Sequence, residues 1–139
     1  MQRKESKFRS ALISALRKNG VLIRAIETGE TTEAFPDVYY CHNEVVCLIE
    51  CKQQETIQGP SYTRKVPFRP GQHSFLDRNK KKGGNSIVAI QYSNCIVFAD
   101  ISAINEEDHL NSDGLFVYWP AIDAKEIIAW IEYQFKRAT

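Results

Sequence analysis

Apolar residues recur at helical spacing near the start of the chain, where Phe8, Ala11, Leu12, Ala15 and Leu16 share one face. This spacing predicts an amphipathic helix over 4–19, stopped at Asn19-Gly20 because Gly20 can take the left-handed conformation. The pattern then switches to short aliphatic and β-branched runs, which predict strands over 21–27, 37–41 and 45–52. A loop over 28–35 turns at Gly29 and carries Glu30 and Glu33, and His42-Asn43-Glu44 forms the next turn. The unbroken run Val45-Val46-Cys47-Leu48-Ile49 predicts a central strand covered on both faces. Residues 53–69 are polar and long for a connection, with Gly59-Pro60 and Pro67 inside. Pro70-Gly71 then opens a helix from about Gln72 to Lys82, with Gln72, Phe75, Leu76 and Asn79 inward and Gly83-Gly84 at its end. Residues 86–92 and 95–100 read as a hairpin around Ser93-Asn94, 101–114 as acidic and irregular, and 115–119 as an edge strand. A last helix over 123–137 carries Ile127, Ile128, Trp130, Ile131 and Phe135, a stripe suited to a core or a dimer face. The order α-β-β-β-α-β-β-α makes this an α/β chain, a mixed central sheet flanked by helices, within one domain over 1–139.

Candidate chemistry gathers at the strand ends. The period of two puts Glu50 and Lys52 on one face of their strand, and Asp37 opens the neighbouring antiparallel strand. Two carboxylates and an ammonium in one small volume invite a divalent cation between them. Glu5 continues the buried face of the first helix, as a first-turn acid favoured by the helix dipole or as a third carboxylate for the cluster. Hydrolysis of a phosphodiester needs an activated water and stabilised phosphoryl oxygens, and Mg²⁺ or Mn²⁺ on carboxylates supplies both. Asp37, Glu50, the main-chain carbonyl of Cys51 and Glu5 are the candidate ligands, and Lys52 would face the attacking water or the scissile phosphate. Gln72 at its helix start is placed to hydrogen-bond into the cluster. The alternative is a strand-end Glu–Lys pair with Asp37 merely starting a strand.

Composition changes this picture only in how charge is spread. At 139 residues, 43% hydrophobic and 25% charged, the chain is of ordinary globular make-up, and its net charge is +1. Between Lys52 and Lys82 the cations Arg64, Lys65, Arg69, Arg78, Lys80, Lys81 and Lys82 outweigh Glu55 and Asp77, and from Asp100 onward acids dominate. Such polarity suits a basic face against a polyanion, or else solvated surfaces and a lysine run complementing a helix dipole. Loop 53–69, with Tyr62 among Arg64, Lys65 and Arg69, reads as a flap that grips phosphates and stacks on a base. The charged N-terminus lacks a signal-peptide apolar run, and no stretch reaches transmembrane length, so an intracellular, cytoplasmic chain is expected. Cys41, Cys47, Cys51 and Cys95 contain no CxxC pair and read as reduced core thiols. A zinc site on Cys41, His42 and Cys47 matches no common ligand spacing.

Taken together, the helix with an inward Glu, Pro36-Asp37 on one strand and Glu50-Cys51-Lys52 on the next resemble the PD-(D/E)xK nuclease superfamily over residues 4–100. That resemblance implies a restriction-endonuclease-like core, Mg²⁺ on Asp37 and Glu50, a catalytic Lys52, and in some branches a helix carboxylate, here Glu5. The small size and the twelve residues between Asp37 and Glu50 resemble cellular Holliday-junction resolvases. The Gln72-His73 helix start, Gly83-Gly84 and the following hairpin resemble the Gram-positive bacterial type, without its basic N-terminal arm or its stalk insertion. The resemblance implies a homodimer acting on branched DNA, nucleoid-associated or phage-encoded. Gln72 also resembles small virus-type repair nucleases, so a flap, nicking or restriction-type enzyme is the alternative. A non-catalytic DNA-binding module is a third reading, against which the intact Asp37, Glu50 and Lys52 argue.

Overall fold

The computed structural model describes residues 4–26, 35–54, 65–111 and 114–136, with the side chains of 4–6 excepted. Among the described residues six strands form one sheet in sequence order, β1 (Leu22–Ala25), β2 (Val38–His42), β3 (Val45–Gln53), β4 (Ser86–Gln91), β5 (Cys95–Asp100) and β6 (Leu115–Tyr118). Only β3 and β4 pair in parallel, and the chain passes between them through helix α2 (Gln72–Lys81). All other neighbours are antiparallel, so the sheet is mixed as expected.

Helix α1 (Lys4–Arg17) ends two residues earlier than its pattern predicts. The Val21 N–H bonds back to the Leu16 carbonyl and Gly20 takes φ 91°, closing the helix on its glycine. Phe8, Leu12 and Leu16 are fully buried and, with Ile127 and Ile131 of α3 (Ala124–Phe135), cover one face of the sheet. Each such apolar side chain contributes about 1.5–3 kcal/mol. Of the α3 stripe, Ile127 and Ile131 are core, and Ile128, Trp130 and Phe135 pack against it half-buried. Asp123 caps that helix by accepting the Glu126 N–H at 3.1 Å.

Leu76 of α2 covers the other face over Val88 and Ile90, and strand β4 is buried throughout because it is sandwiched between both layers. The first half of β3 departs from its apolar pattern. Val46 is 45% exposed there, in an open cleft bordered by Asn79, Gly83 and Gly84 at the end of α2. Within the acidic segment, residues 101–111 carry more structure than their composition suggests. The segment opens with a 3-10 turn over Ile101–Ala103 and pairs Ile104 with Leu110, burying Ile101, Ile104 and Leu110 beside Val66. The turn after β2 is Asn43-Glu44, both at positive φ, and His42 belongs to the strand. Strand β1 covers less than 21–27, and Asp37 stands just before β2 rather than in it.

Candidate active site

Register alone brings the first two residues together. Val38 pairs with Ile49, so one further step places Asp37 opposite Glu50. The Cys51 N–H then donates to Asp37 Oδ2 at 3.0 Å, which fixes the carboxylate against the strand edge. Within a strand, the carbonyl of a residue leaves on the same edge as its N–H. The Cys51 carbonyl therefore faces the Asp37 side, while its thiol is packed in the core below α1.

Glu50 and Lys52 alternate with the core residues Ile49 and Cys51, so both turn toward the α2 layer. They are 1% and 2% exposed, and Lys52 Nζ lies 3.2 Å from Glu50 Oε2. Gln72, also buried, donates its Nε2 to the same oxygen at 2.9 Å and accepts the Arg69 N–H at 2.7 Å. A carboxylate and an ammonium withdrawn from water are costly to keep unless each is satisfied, and this cluster supplies the partners. Lys52 Nζ thus contacts the carboxylate two residues before it in the strand.

Arg9 was not signalled by any motif. Its Nη1 lies 3.6 Å from Asp37 Oδ1, reaching over from α1. A hint was available, because Arg9 follows Phe8 at the rim of the buried face. Glu5 sits one helical turn before Arg9 in α1, and its side chain lies outside the described residues, as do Tyr62 and Arg64 of the flap.

The basic residues divide. Lys65 and Arg69 are exposed at the site end of the structure, where Lys65 pairs with His109 across a short bridge and Phe68 stacks on His73. This end of the loop is pinned, because Val66 is buried in the second core. The cations closing α2 lie toward the opposite end of the helix from Gln72, about 9–15 Å away by helical rise. Lys80 is engaged with Asp100 at 3.1 Å and Lys81 with Asp77 at 2.8 Å, and that carboxylate holds the Lys81 ammonium above its ordinary range. Arg78 and Lys82 are exposed.

Sulfur plays no part in the cluster. His42 Nδ1 is 2.9 Å from Glu132 and Cys47 is buried in the core, so Cys41, His42 and Cys47 do not converge. Among the described residues no group of three His, Cys, Asp or Glu side chains is poised around a cation, and no helix is long and apolar enough to cross a membrane.

Comparison with known proteins gives this geometry a family. The archaeal Holliday junction resolvase family model matches residues 1–117. The structure of an Archaeoglobus fulgidus Holliday junction resolvase, Hjc, superposes with a TM-score of 0.55 at 16% identity, covering 77% of this chain and 86% of that one. No curated protein matches. The matching family is the archaeal one, rather than the Gram-positive bacterial type that the helix start and glycine pair resemble. With most of its length matched and the restriction-endonuclease-like fold shared, this chain belongs to the archaeal Holliday junction resolvase family and is a structure-selective, junction-resolving nuclease.

Proposed function

We propose that the chain resolves four-way DNA junctions by hydrolysing phosphodiesters with Mg²⁺, or Mn²⁺ in its place, held by Asp37, Glu50 and the main-chain carbonyl of Cys51. The observation that carries this reading is the buried Glu50, gripped by Lys52 and Gln72 at the strand end opposite Asp37. Resolvases of this family depend on a divalent metal. The donors here are carboxylate and carbonyl oxygens with no sulfur, the hard set that suits Mg²⁺. Glu5 is a further ligand candidate from α1.

When bound, the ion supplies a Lewis acid for the attacking water and for the phosphoryl oxygens. The residues of the chain prepare the ground for it. The Cys51 N–H orients Asp37, and Gln72 with Lys52 fixes one oxygen of Glu50. Lys52 carries the charge that offsets the developing negative charge on phosphate. Arg69 and Lys65, with Arg64 and Tyr62 of the adjoining segment, hold the DNA next to the site, and Arg78 and Lys82 reach more distant phosphates. Lys80 and Lys81 contribute more weakly, being engaged with Asp100 and Asp77. Paired nicks on a junction require two sites, so the active form is a homodimer, working on intracellular DNA.

The test is a labelled four-way junction with Mg²⁺, cut by the wild-type chain and by Asp37→Asn and Lys52→Ala at rates lower by about a hundredfold or more. Wild-type protein that leaves the junction intact, or variants that cut as well as it does, refute the reading. Flap and plain duplex in parallel lanes separate resolvase from flap nuclease, because only a resolvase makes symmetric paired nicks. Sedimentation at micromolar concentration is expected to give the mass of two chains.

A further inference from the structure

We infer that Arg9 makes divalent-ion binding at Asp37 contingent on the arrival of a DNA phosphate. The inference rests on the reading of Asp37 as a metal ligand, and it concerns a residue that reading leaves out.

The two carboxylates of the site each face a cation, but the two cations are held differently. Lys52 is 3% exposed in its side chain and bound at 3.2 Å to a Glu50 that is equally buried. Lys52 cannot leave without uncovering a buried charge. The Arg9 side chain is 30% exposed and its Nη1 stands 3.6 Å from Asp37 Oδ1, beyond good hydrogen-bond length. That contact is coulombic, loose and open to water. Asp37 Oδ2 is already taken by the Cys51 N–H at 3.0 Å, so Oδ1, the oxygen facing Arg9, is the one offered to an incoming ion.

A guanidinium does not lose its proton in a protein. An ion of charge +2 arriving at Oδ1 therefore meets a permanent +1 in a site partly withdrawn from solvent, and the repulsion weakens its binding. A phosphate changes the balance. It accepts a guanidinium through two parallel hydrogen bonds, which draws Arg9 off Asp37. Its own charge also offsets that of the ion. Metal and DNA then favour each other's binding by one shared factor, as linkage requires. Without DNA the carboxylate stays paired with Arg9, which restrains ion loading. The opposing view makes Arg9–Asp37 an ordinary half-exposed ion pair of little consequence. The two views differ in sign. A consequential Arg9 raises the dissociation constant of the metal, whereas an inconsequential one leaves it alone.

The experiment titrates the full chain with Mn²⁺ alone and follows loss of the free-ion electron paramagnetic resonance signal. Arg9→Gln removes the charge, Arg9→Lys keeps it, and a melting curve for each variant checks that it is folded. Without DNA, Arg9→Gln is expected to bind Mn²⁺ about tenfold more tightly than wild type, with Arg9→Lys close to wild type. A four-way junction with phosphorothioate linkages keeps the charge and resists cutting. It is expected to tighten Mn²⁺ binding to wild type by about tenfold and to Arg9→Gln by under about threefold. Equal or weaker binding by Arg9→Gln without DNA, while Asp37→Asn abolishes binding, overturns the role of Arg9 and leaves the metal site standing. Binding that Asp37→Asn does not change overturns both.

Discussion

Gln72 and Glu50 meet inside the protein, with Gln72 Nε2 donating to Glu50 Oε2 at 2.9 Å, 22 residues apart in sequence. The same amide accepts the Arg69 N–H at 2.7 Å, so one side chain ties the end of the basic loop to a carboxylate of the site. Partners that orient metal ligands typically cost about 10–100-fold in affinity or activity when removed. Gln72→Met keeps the volume and deletes both hydrogen bonds. The Mg²⁺ concentration giving half-maximal junction cleavage should rise by about tenfold or more. Unfolding free energy in urea should fall by about 1–3 kcal/mol, the cost of removing one hydrogen bond from a buried carboxylate and another from the Arg69 N–H. A change in stability alone would show that Gln72 is only a packing residue.

The β2–β3 turn offers a gain instead of a loss. Asn43 and Glu44 sit at φ 52° and 69°, both left-handed, in the two-residue hairpin geometry that favours Asn-Gly. Asn suits its position, but Glu44 bears the steric penalty of its Cβ. Glu44 is exposed. Glu44→Gly should therefore raise stability by about 0.5–1 kcal/mol with junction cleavage unchanged, read by urea unfolding and the cleavage assay.

Much of this was legible in advance, for identifiable reasons. Phe8, Leu12 and Leu16 announce α1 because burial of one helical face forces their spacing. The alternation that sends Glu50 and Lys52 to one side of β3, near the mouth of the Asp37 strand, follows from strand pleat. The register that sets Asp37 opposite Glu50 comes from a turn of two residues, where the pattern predicts the three of His42-Asn43-Glu44. Three features escaped. Arg9 meets Asp37 across the packing of two layers, a contact that no local spacing encodes. Val46 continues an apolar run yet is exposed, because the end of α2 leaves an open cleft over it. The acidic composition of 101–114 concealed Ile101, Ile104 and Leu110, spaced too irregularly to show a period, which close the second core.

The cysteines should divide by burial. Desolvation, helped by nearby Cys41, pushes the Cys47 thiol far above its ordinary value, and Cys47 is 1% exposed. Thiolate is the reactive form, so a raised pKa leaves too little of it near pH 8 to react. Iodoacetamide at that pH should label half-buried Cys41 in the native chain and reach Cys47 only in urea, with mass mapping of peptides as the readout. Labelling of Cys47 at the same rate as Cys41 without denaturant would contradict the packing described for β3.

The Glu50–Lys52 pair separates function from stability most sharply. Both side chains are at most 3% exposed, so removing either partner strands the other away from water. Such single losses cost about 3–5 kcal/mol, whereas replacing both partners with neutral groups of similar volume is often neutral or stabilising. Lys52→Met alone and Glu50→Gln alone should each lower unfolding free energy by about that amount, measured in urea with chelator present to remove any divalent ion. The double variant should recover most of the loss, because two neutral side chains leave no isolated charge, and the Gln72 amide can still bond the new carboxamide oxygen. All three variants should leave the four-way junction uncut. Recovered stability with absent cleavage would place the pair in the chemistry of the site. A double variant no more stable than the singles would instead mean that the cluster holds the end of β3 together, and cleavage would then be lost through the fold.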